Sequence, residues 1–284
     1  MPSLVGSEMC IRDSLYTYCI THKNFNFLNS LNINIIGSGN YSKNDNFYHS
    51  KWYKDDMGEN ISFKNKNFGT LTTHYWFWKN QLSKHKKNDW ISFCHYRRFW
   101  VNNDIGPIVN IKDLKENLLT KMPKECEKYD SFLPKKVFVN KVKFMKLIKK
   151  GYKNYLKDPT ILFSNKKNDI ELHFDMFHGY KNLSRAIDVM PLDDRKDFDD
   201  YKKRDSFYPF QIFICKSNTL LNLYKKTFEW IFECEKIFKN HQLIGYGQER
   251  MYDFLAERFF SFYFEKYTRI KVLPYSMIEK FDGL

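Results

Sequence analysis

The chain has 284 residues, of which 43% are hydrophobic and 18% aromatic, so it can bury a large core and does not have a disordered composition. Its formal net charge is +14, from 47 Lys and Arg against 33 Asp and Glu. A basic surface of this size attracts phosphates, nucleic acids or anionic lipids. A general bias toward Lys, Asn, Ile, Phe and Tyr explains the charge equally well, so charge alone leaves the partner open.

Membrane spans, structural zinc and secretion signals are not predicted. No apolar run approaches the roughly 18 residues of a spanning helix, so we expect a soluble or peripheral protein. The cysteines form no Cys-x-x-Cys pair, which indicates a reducing, cytoplasmic compartment. Residues 1–14 lack the cationic start of a signal peptide and are interpreted as a non-native or disordered leader. Residues 15–284 are expected to form a single domain.

The first half of the chain alternates between strand and helix patterns. Strands are predicted over 15–20 and 33–36, followed by a long polar loop. Apolar residues at three- and four-residue spacing from 68 to 82 predict a helix. The next predicted elements are a strand over 90–94, a helix over 112–119, a strand over 129–133 and a helix over 142–155.

The second half is predicted to be mainly helical. A helix near 170–188 precedes a charged segment over 192–204, a strand over 207–215, a helix after Ser217 and a long helix from about 247. The whole order predicts an α/β fold, in which a mostly parallel, Rossmann-like sheet is flanked by helices and the C-terminal part is helical.

Polar side chains follow three of the predicted strands. Thr21-His22-Lys23 follows the first, Gly37-Ser38-Gly39 the second, and His95-Tyr96-Arg97-Arg98 the strand over 90–94. Ligands of open α/β sheets bind beyond these carboxyl ends, and arginine gives planar, two-pronged recognition of phosphate. We therefore expect an anionic ligand, and we expect residues 15 to about 135 to form a nucleotide-binding half. The alternative is that the two arginines pair with carboxylates or lie in solvent.

A series of motifs, in order along the chain, resembles a known family. They are Thr21-His22-Lys23, 33–37, 55–62, Lys64-Asn65, Leu71-Thr72, 75–80, 94–98, Phe213-Ile214 and 254–258. They resemble bacterial exopolysaccharide and capsule proteins long described as a domain of unknown function and treated as glycosyltransferases with the GT-A fold. The resemblance covers the chain from residue 15. Thr70 departs from it where an acidic residue is usual, and Gln211 where asparagine is.

The resemblance implies transfer of a sugar from a nucleotide-diphosphate donor, with UDP expected, to a hydroxyl of a growing glycan. The implied setting is capsule, exopolysaccharide or O-antigen synthesis. The transferred sugar is expected to be a hexosyl group, with galactofuranosyl as one option, and lipid-linked glycans are among the expected acceptors. The implied location is the inner face of the cytoplasmic membrane, and the +14 charge adds the expectation of peripheral contact with anionic lipid. Neither the donor sugar nor the stereochemistry follows from these residues.

The resemblance also indicates how the leaving diphosphate is stabilised. Many GT-A enzymes hold Mn²⁺ or Mg²⁺ with Asp-x-Asp at a strand end, whereas the similar strand here ends in His95-Tyr96-Arg97-Arg98. We expect His95, Arg97 and Arg98, helped by Lys23, to replace the metal, so no metal cofactor is expected. Asp197-Phe198-Asp199 lacks a preceding apolar strand and is interpreted as solvated surface. The resemblance adds Thr21, His22, Lys64 and Asn65 to the donor site.

The remaining candidates each have a second interpretation. Asp55, Asp56 and Asn60 are placed by the resemblance where ribose hydroxyls or the base would bind, but Asp and Asn also favour ordinary turns. Arg258 lies beside an apolar helix stripe and needs a carboxylate or phosphate partner, and it is assigned to the donor. Glu257 is a candidate base for the acceptor hydroxyl or a salt-bridge residue.

Two residues are assigned to the acceptor. His178 matches a histidine of the family and is expected to contact the acceptor or to pack in the core, and Gln211 is placed beside the same substrate. His173 and His178 are five residues apart, a spacing that does not bring two helical side chains to one metal, so neither is a predicted ligand.

Two rival functions remain open. The +14 charge with many Tyr and Phe also fits a nucleic-acid-binding protein, which would need a continuous basic and aromatic groove. A catalytically silent relative that binds a nucleotide sugar is the second rival. Parallel titrations with UDP and with an oligonucleotide distinguish the first rival from a glycosyltransferase. Detection of sugar transfer excludes the second.

Overall fold

The structure is a computed structural model that describes residues 14–44, 46–141, 156, 168–239 and 245–279. Residues 1–13 of the expected leader and the helix predicted over 142–155 lie outside the described residues. In chain order the strands are β1 (Leu15–Thr21), β2 (Asn34–Gly37), β3 (Tyr53–Lys54), β4 (Trp90–His95), β5 (Arg98–Trp100), β6 (Ser131–Leu133), β7 (Val137–Phe138), β8 (Ser206–Phe207), β9 (Phe213–Lys216), β10 (Ile270–Val272) and β11 (Tyr275–Met277). The α-helices are α1 (Asn65–Phe68), α2 (Leu71–Asn80), α3 (Ile111–Asn117), α4 (Ile170–His178), α5 (Asn182–Asp188), α6 (Leu192–Tyr201), α7 (Ser217–Phe238), α8 (Tyr246–Glu249) and α9 (Met251–Tyr267).

The central sheet has the strand order β10-β6-β9-β4-β1-β2-β3. All of these strands run in the same direction except β9, which is antiparallel to both β4 and β6. A short extension pairs β5 with β4 and with β11. The predicted α/β fold, with a mostly parallel central sheet flanked by helices, is confirmed.

Side chains alternate across the sheet and form a core on each face. Tyr18 and Ile20 of β1 face the larger core, which includes residues of α2, α7 and α9, whereas Cys19 faces a smaller core that includes Trp90 and Phe132. This is the period of two expected of a strand with both faces covered. The sheet therefore lies buried between two apolar layers, and its carboxyl edge is left for polar residues.

Backbone conformation divides two of the predicted elements. The helix expected near 170–188 is interrupted after His178, where Gly179 has φ 104° and Lys181 has φ 60°. The strand expected over 207–215 is divided into β8 and β9 because Phe210 and Gln211 have φ values of 76° and 53°. Left-handed backbone cannot continue a strand, and neither residue is a glycine that the sequence would have marked.

The charged segment over 192–204 is largely the helix α6, which buries Phe198, Tyr201 and the paired Asp194 and leaves its other acids at least partly exposed. Asp197 pairs with Lys266 at 2.7 Å, and Asp199 pairs with Lys202 at 2.9 Å. Both carboxylates are about half exposed, at 55% and 45%. The Asp-x-Asp sequence therefore lies on a helix surface and not at a strand end.

Asp55 joins the loop after β2 to the start of α2. Its side chain is fully buried and accepts hydrogen bonds from the Gly39 and Asn40 amides at 2.9 and 3.0 Å. It also accepts from the hydroxyls of Ser62 and Thr72 at 2.8 and 2.6 Å. These four donors occupy both carboxylate oxygens, so Asp55 organises the polar loops at the carboxyl edge.

We expect Asp55→Ala to lower the free energy of unfolding by about 4 kcal/mol, because each buried donor left without a partner costs roughly 1–3 kcal/mol. Urea denaturation measures the change. Asp56→Ala is the matched control: Asp56 is partly exposed and accepts from Asn40 Nδ2, so its loss should be below about 1.5 kcal/mol. Equal losses in the two variants would contradict the structural role of Asp55.

His74 is a fully buried histidine of α2. Its Nδ1 lies 2.8 Å from the Tyr224 hydroxyl, and its ring packs against Phe93, Phe213 and Phe260. Burial lowers its pKa to about 3. The folded protein therefore holds this imidazole neutral, although the unfolded chain protonates it near pH 6.5.

This difference predicts a pH-dependent stability that His74→Phe removes. Between pH 6.5 and 3 the unfolded state holds the extra proton, so lowering the pH favours unfolding. Relative to His74→Phe, the wild-type free energy of unfolding should fall by about 1.4 kcal/mol for each pH unit below about 6.5. Urea titrations of both proteins at pH 7 and pH 5.5 measure this difference. Parallel pH profiles would show that His74 titrates normally.

Candidate functional site

A polar cavity of about 250 Å³ lies at the carboxyl edge of the sheet. We call it the basic cavity. It is lined by Ile20, His22, Ser38, Asn65, Gly69, Thr70, His95, Tyr96, Arg97, Arg98, Phe210, Gln211, Tyr246, Arg250, Asp253, Phe254 and Glu257. The ends of β1, β2 and β4 supply one wall. The turn before β9 and the region where α8 meets α9 supply further lining residues.

Two glycines allow close packing around the basic cavity. A side chain on Gly37 would meet the ring of Tyr48 at 2.5 Å, and Tyr48 donates to the Ser38 carbonyl at 2.6 Å. Gly69 has φ 51°, and its missing side chain would meet the Asp253 carboxylate at 2.5 Å. The Gly37-Ser38-Gly39 turn is therefore a packing requirement beside the cavity.

Three arginines converge on the basic cavity. The Arg98 guanidinium lies 3.9 Å from the centre of the Phe210 ring, and Arg250 lies 5.2 Å from the centre of the Tyr246 ring. Arg97 Nε donates to the Ile278 carbonyl at 3.4 Å. Burial lowers the pKa of Arg98, with Arg97 adding to the effect, yet a guanidinium stays protonated at working pH. The arginines keep their positive charge beside each other.

The two histidines of the cavity are neutral. Burial, followed by the charges of Arg98 and His22, lowers the pKa of His95 to about 3. Burial, followed by the charge of Arg250, lowers the pKa of His22. His95 Nε2 is buried and has no hydrogen-bond partner within the described residues. Nearby positive charge therefore opposes protonation of either imidazole.

The two carboxylates of the cavity, Asp253 and Glu257, already have hydrogen-bond and ion-pair partners other than Arg98 and Arg250. Asp253 accepts from the Thr70 amide and hydroxyl at 3.1 and 2.7 Å and from Gln211 Nε2 at 2.9 Å. Glu257 accepts from the Phe210 amide at 2.6 Å and pairs with Arg258. Within the described part of the chain, Arg98 and Arg250 have no carboxylate at ion-pair distance. Their charge is left for an anionic ligand.

Seven of the predicted site residues line this cavity. They are Arg97, Arg98, His95, Glu257, His22, Asn65 and Gln211. Asn65 Nδ2 donates to Ser38 Oγ at 3.3 Å and to the Gly69 carbonyl at 2.8 Å, so it ties two lining segments together. Gln211, predicted for the acceptor, lies here between Thr70 and Asp253.

Seven of the residues predicted for the donor do not line the basic cavity, and one of them, Arg258, lines a neighbouring cavity described below. Thr21 is buried, and its hydroxyl closes a turn with Lys23, whose side chain is exposed. Asn60 Nδ2 donates to the carbonyls of Asp56 and Gly58, which is ordinary turn chemistry. Asp55 and Asp56 bind protein groups as described above.

Lys64 is the sixth. It pairs with Glu235 at 2.6 Å and lies over the Phe68 and Phe232 rings. These residues therefore build the loops around the sheet edge. His22 and Arg97 line the basic cavity, and Asn60 does not.

A second cavity of about 700 Å³ adjoins the first. We call it the aromatic cavity. It is lined by Val137, His173, Met176, Phe177, His178, Phe207, Pro209, Phe210, Gly245, Tyr246, Gly247, Gln248, Phe254, Glu257 and Arg258. His178 stacks on Phe254 at 3.9 Å, and its Nδ1 lies 3.0 Å from the Gly247 carbonyl. Arg258, predicted for the donor, therefore lines this second cavity with His178 and pairs with Glu257.

Arg250, Tyr246 and Asp253 were not among the predicted site residues. Arg250 occupies the break between α8 and α9, at the N-terminal end of α9. A cation is unfavourable beside the positive end of a helix unless an anion binds there. An arginine at the start of a helix is thus a sequence signal for an anion site. It can be recognised only when the first residue of the helix is placed correctly.

The residues at the end of β4 do not fit the divalent cation that many GT-A enzymes hold. Mn²⁺ and Mg²⁺ take oxygen ligands, and this segment offers an imidazole and two guanidinium groups. Within the described ranges, no group of three or more His, Cys, Asp or Glu side chains could hold a metal ion.

The fold and the basic cavity define an α/β protein with a largely parallel sheet that resembles glycosyltransferase structures. Residues 16–268 match the family described as Domain of unknown function (DUF4422), so the chain belongs to this family. No curated protein matches the sequence significantly. No helix in the described part of the chain is long and apolar enough to cross a membrane.

Two solved structures are similar. The apo structure of WbbM, a bifunctional glycosyltransferase, has a TM-score of 0.69 and 20% identity, and the match covers 94% of this chain and 46% of that chain. The chain therefore spans less than half the length of WbbM. Core-mannan synthase A from Aspergillus fumigatus, in its Mn/GDP form, has a TM-score of 0.40 and 11% identity, with 96% and 76% covered.

Proposed function

We propose that this protein is a glycosyltransferase that uses a UDP-linked sugar donor. The observation that supports this most directly is that Arg98 and Arg250 both line the basic cavity without carboxylate partners among the described residues. A diphosphate supplies the missing negative charge at the edge where α/β sheets bind nucleotides. The fold likeness to WbbM supports glycosyl transfer as the reaction class.

The residues have distinct roles in this proposal. Arg97, Arg98 and Arg250 hold the diphosphate and stabilise the charge that develops on it as the sugar leaves. Neutral His22 and His95 each contribute a ring N–H donor. An acceptor hydroxyl oxygen forms the new bond to the anomeric carbon, the bond to the diphosphate breaks, and the hydroxyl proton passes to Glu257. Fixed positive charge replaces a divalent cation, so transfer is expected to proceed without added metal.

A thermal-shift experiment tests this function. UDP and a panel of UDP-sugars should raise Tm, with and without EDTA, because a ligand of the folded state stabilises it by RT ln(1 + [L]/Kd). A single-stranded oligonucleotide at equal phosphate concentration should give a smaller shift. A larger, salt-dependent shift with the oligonucleotide would favour the nucleic-acid-binding alternative, and UDP binding without donor turnover would favour the silent relative.

The finer assignments extend this proposal to the cell. We place the enzyme in capsule, exopolysaccharide or O-antigen synthesis on the cytoplasmic face of the inner membrane, where the +14 charge favours anionic lipid. From the family resemblance we propose that the donor carries a hexosyl group, with galactofuranosyl as one option.

Membrane contact is tested with lipid vesicles. Vesicles containing phosphatidylglycerol should co-sediment the protein at low salt and neutral vesicles should not, since each nearby cation contributes about 1 kcal/mol to binding. Equal sedimentation would contradict membrane contact.

A further inference from the structure

The aromatic cavity has a different chemistry from the basic cavity that it adjoins. Its volume of about 700 Å³ lies within the usual range of roughly 300–1,000 Å³ for ligand sites. Aromatic side chains supply much of its wall, among them Phe177, Phe207, Tyr246 and Phe254. Flat apolar faces with a few polar groups suit a ligand that is itself part apolar and part hydroxylated.

The charged groups of the aromatic cavity balance each other. Arg258 is 2% exposed and pairs with Glu257, so one positive and one negative charge cancel. Arg258 also contacts His173 Nδ1 at 3.3 Å and lies 4.3 Å from the centre of the Phe207 ring. Burial, followed by the charge of Arg258, lowers the pKa of His173 to about 3, so this ring is neutral. The described residues that line the aromatic cavity therefore offer no excess positive charge to an anionic ligand, in contrast to those of the basic cavity.

Glu257 stands at the junction of the two cavities. It lines both of them, together with Phe210, Tyr246 and Phe254. Its side chain is 14% exposed, and its carboxylate is oriented by the Phe210 amide on one oxygen and by Arg258 on the other. A hydroxyl on a ligand in the aromatic cavity would therefore reach a carboxylate that also lines the cavity of Arg98 and Arg250.

We propose that the aromatic cavity binds the acceptor, and that the acceptor ends in an uncharged sugar whose ring packs on these aromatic faces. This inference rests on the proposed glycosyl transfer and adds the location and charge class of the second substrate. The attacking hydroxyl of that sugar gives its proton to Glu257 as its oxygen bonds to the anomeric carbon and the diphosphate departs. Arg258 acts as a positioning residue for the carboxylate.

Binding of simple sugars to the full chain tests the inference. Saturation-transfer NMR with methyl β-galactopyranoside, methyl β-glucopyranoside and methyl α-mannopyranoside, in saturating UDP, should show binding of at least one with a Kd of about 1–50 mM. Sodium glucuronate should bind more weakly than the neutral glycosides. UDP affinity is measured separately by calorimetry, so that failure of the donor site is recognised independently.

Two variants locate the sugar, and one neighbour serves as control. Val137→Trp fills the cavity from β7, and Phe177→Ala removes an aromatic face from α4. Each should weaken glycoside binding by about tenfold or more while UDP affinity changes less than about twofold. Phe138→Trp lies on the same short strand but does not line the cavity and is 46% exposed, so it should leave both affinities unchanged.

Several results would overturn the inference. They are glycoside binding that neither variant weakens, no glycoside binding up to about 50 mM while UDP still binds, and glucuronate binding as tightly as the neutral sugars. Farnesyl phosphate that binds in a manner dependent on Val137, without any glycoside binding, would show that a lipid occupies the cavity instead. If the wild-type protein does not bind UDP, that result counts against the proposed function and not against the sugar site.

Discussion

Replacing Arg98 with alanine is expected to lower kcat by about 10²–10³, the usual effect of removing one preorganised donor from a developing negative charge. The Kd of UDP should rise by about 10-fold to 100-fold, since a charge-assisted hydrogen bond contributes roughly 1.5–3 kcal/mol. Arg98→Lys should recover little of either, because an ammonium group lacks the planar fork. Calorimetry measures the Kd of UDP. The rate at which UDP is released from the donor identified by thermal shift gives kcat.

Arg269→Ala is the matched control for this experiment. Arg269 is 65% exposed, pairs with Asp130 at 2.8 Å and does not line the basic cavity, so its loss should leave UDP affinity and kcat unchanged. Urea unfolding separates loss of packing on Phe210 from loss of function. A fully active Arg97→Ala/Arg98→Ala double variant, or activity abolished by EDTA and restored by Mn²⁺, would show that arginine does not replace a metal here.

Glu257→Gln is expected to lower kcat by about 10²–10⁴ while the Kd of UDP changes little, because a positioned general base contributes on this scale and does not bind the nucleotide. Glutamine keeps the length and the oxygen that accepts from the Phe210 amide. It loses the charge that balances Arg258, so some loss of stability is expected too. Initial rates measured on the folded fraction, with urea unfolding in parallel, separate the two effects.

Glu265→Gln tests the alternative that Glu257 is only a salt-bridge residue. Glu265 lies on the same helix, pairs with Lys136 at 2.8 Å and with Arg204 at 2.5 Å, and lines neither the basic nor the aromatic cavity. It should lose stability without losing kcat. If Glu257→Gln behaves in the same way, Glu257 is a structural residue and another group accepts the proton.

Local patterns in the sequence determined the fold class and one side of the site. Alternating apolar runs and helical stripes predict the strands β1, β2 and β4 and the helices α2, α7 and α9 within a few residues. The His95-Tyr96-Arg97-Arg98 segment follows its strand directly, so its position at the carboxyl edge follows from chain order alone. A buried strand that runs straight into arginines is a local signal, and local signals can be read without tertiary contacts.

Which side chains line the cavity depends on tertiary packing. Asp55 and Lys64 lie in motifs that suggested the donor site, but their side chains turn to protein partners whose presence no local pattern reveals. Arg250 enters the site because the helix breaks at that residue. Phe210 lies under Arg98 because two consecutive non-glycine residues adopt left-handed backbone, which surrounding contacts must enforce at roughly 1–3 kcal/mol each. Chain order and local patterns are therefore enough to predict which segments reach the sheet edge. Which charges are balanced there depends on the tertiary structure, because charges pair with residues that are distant in the chain.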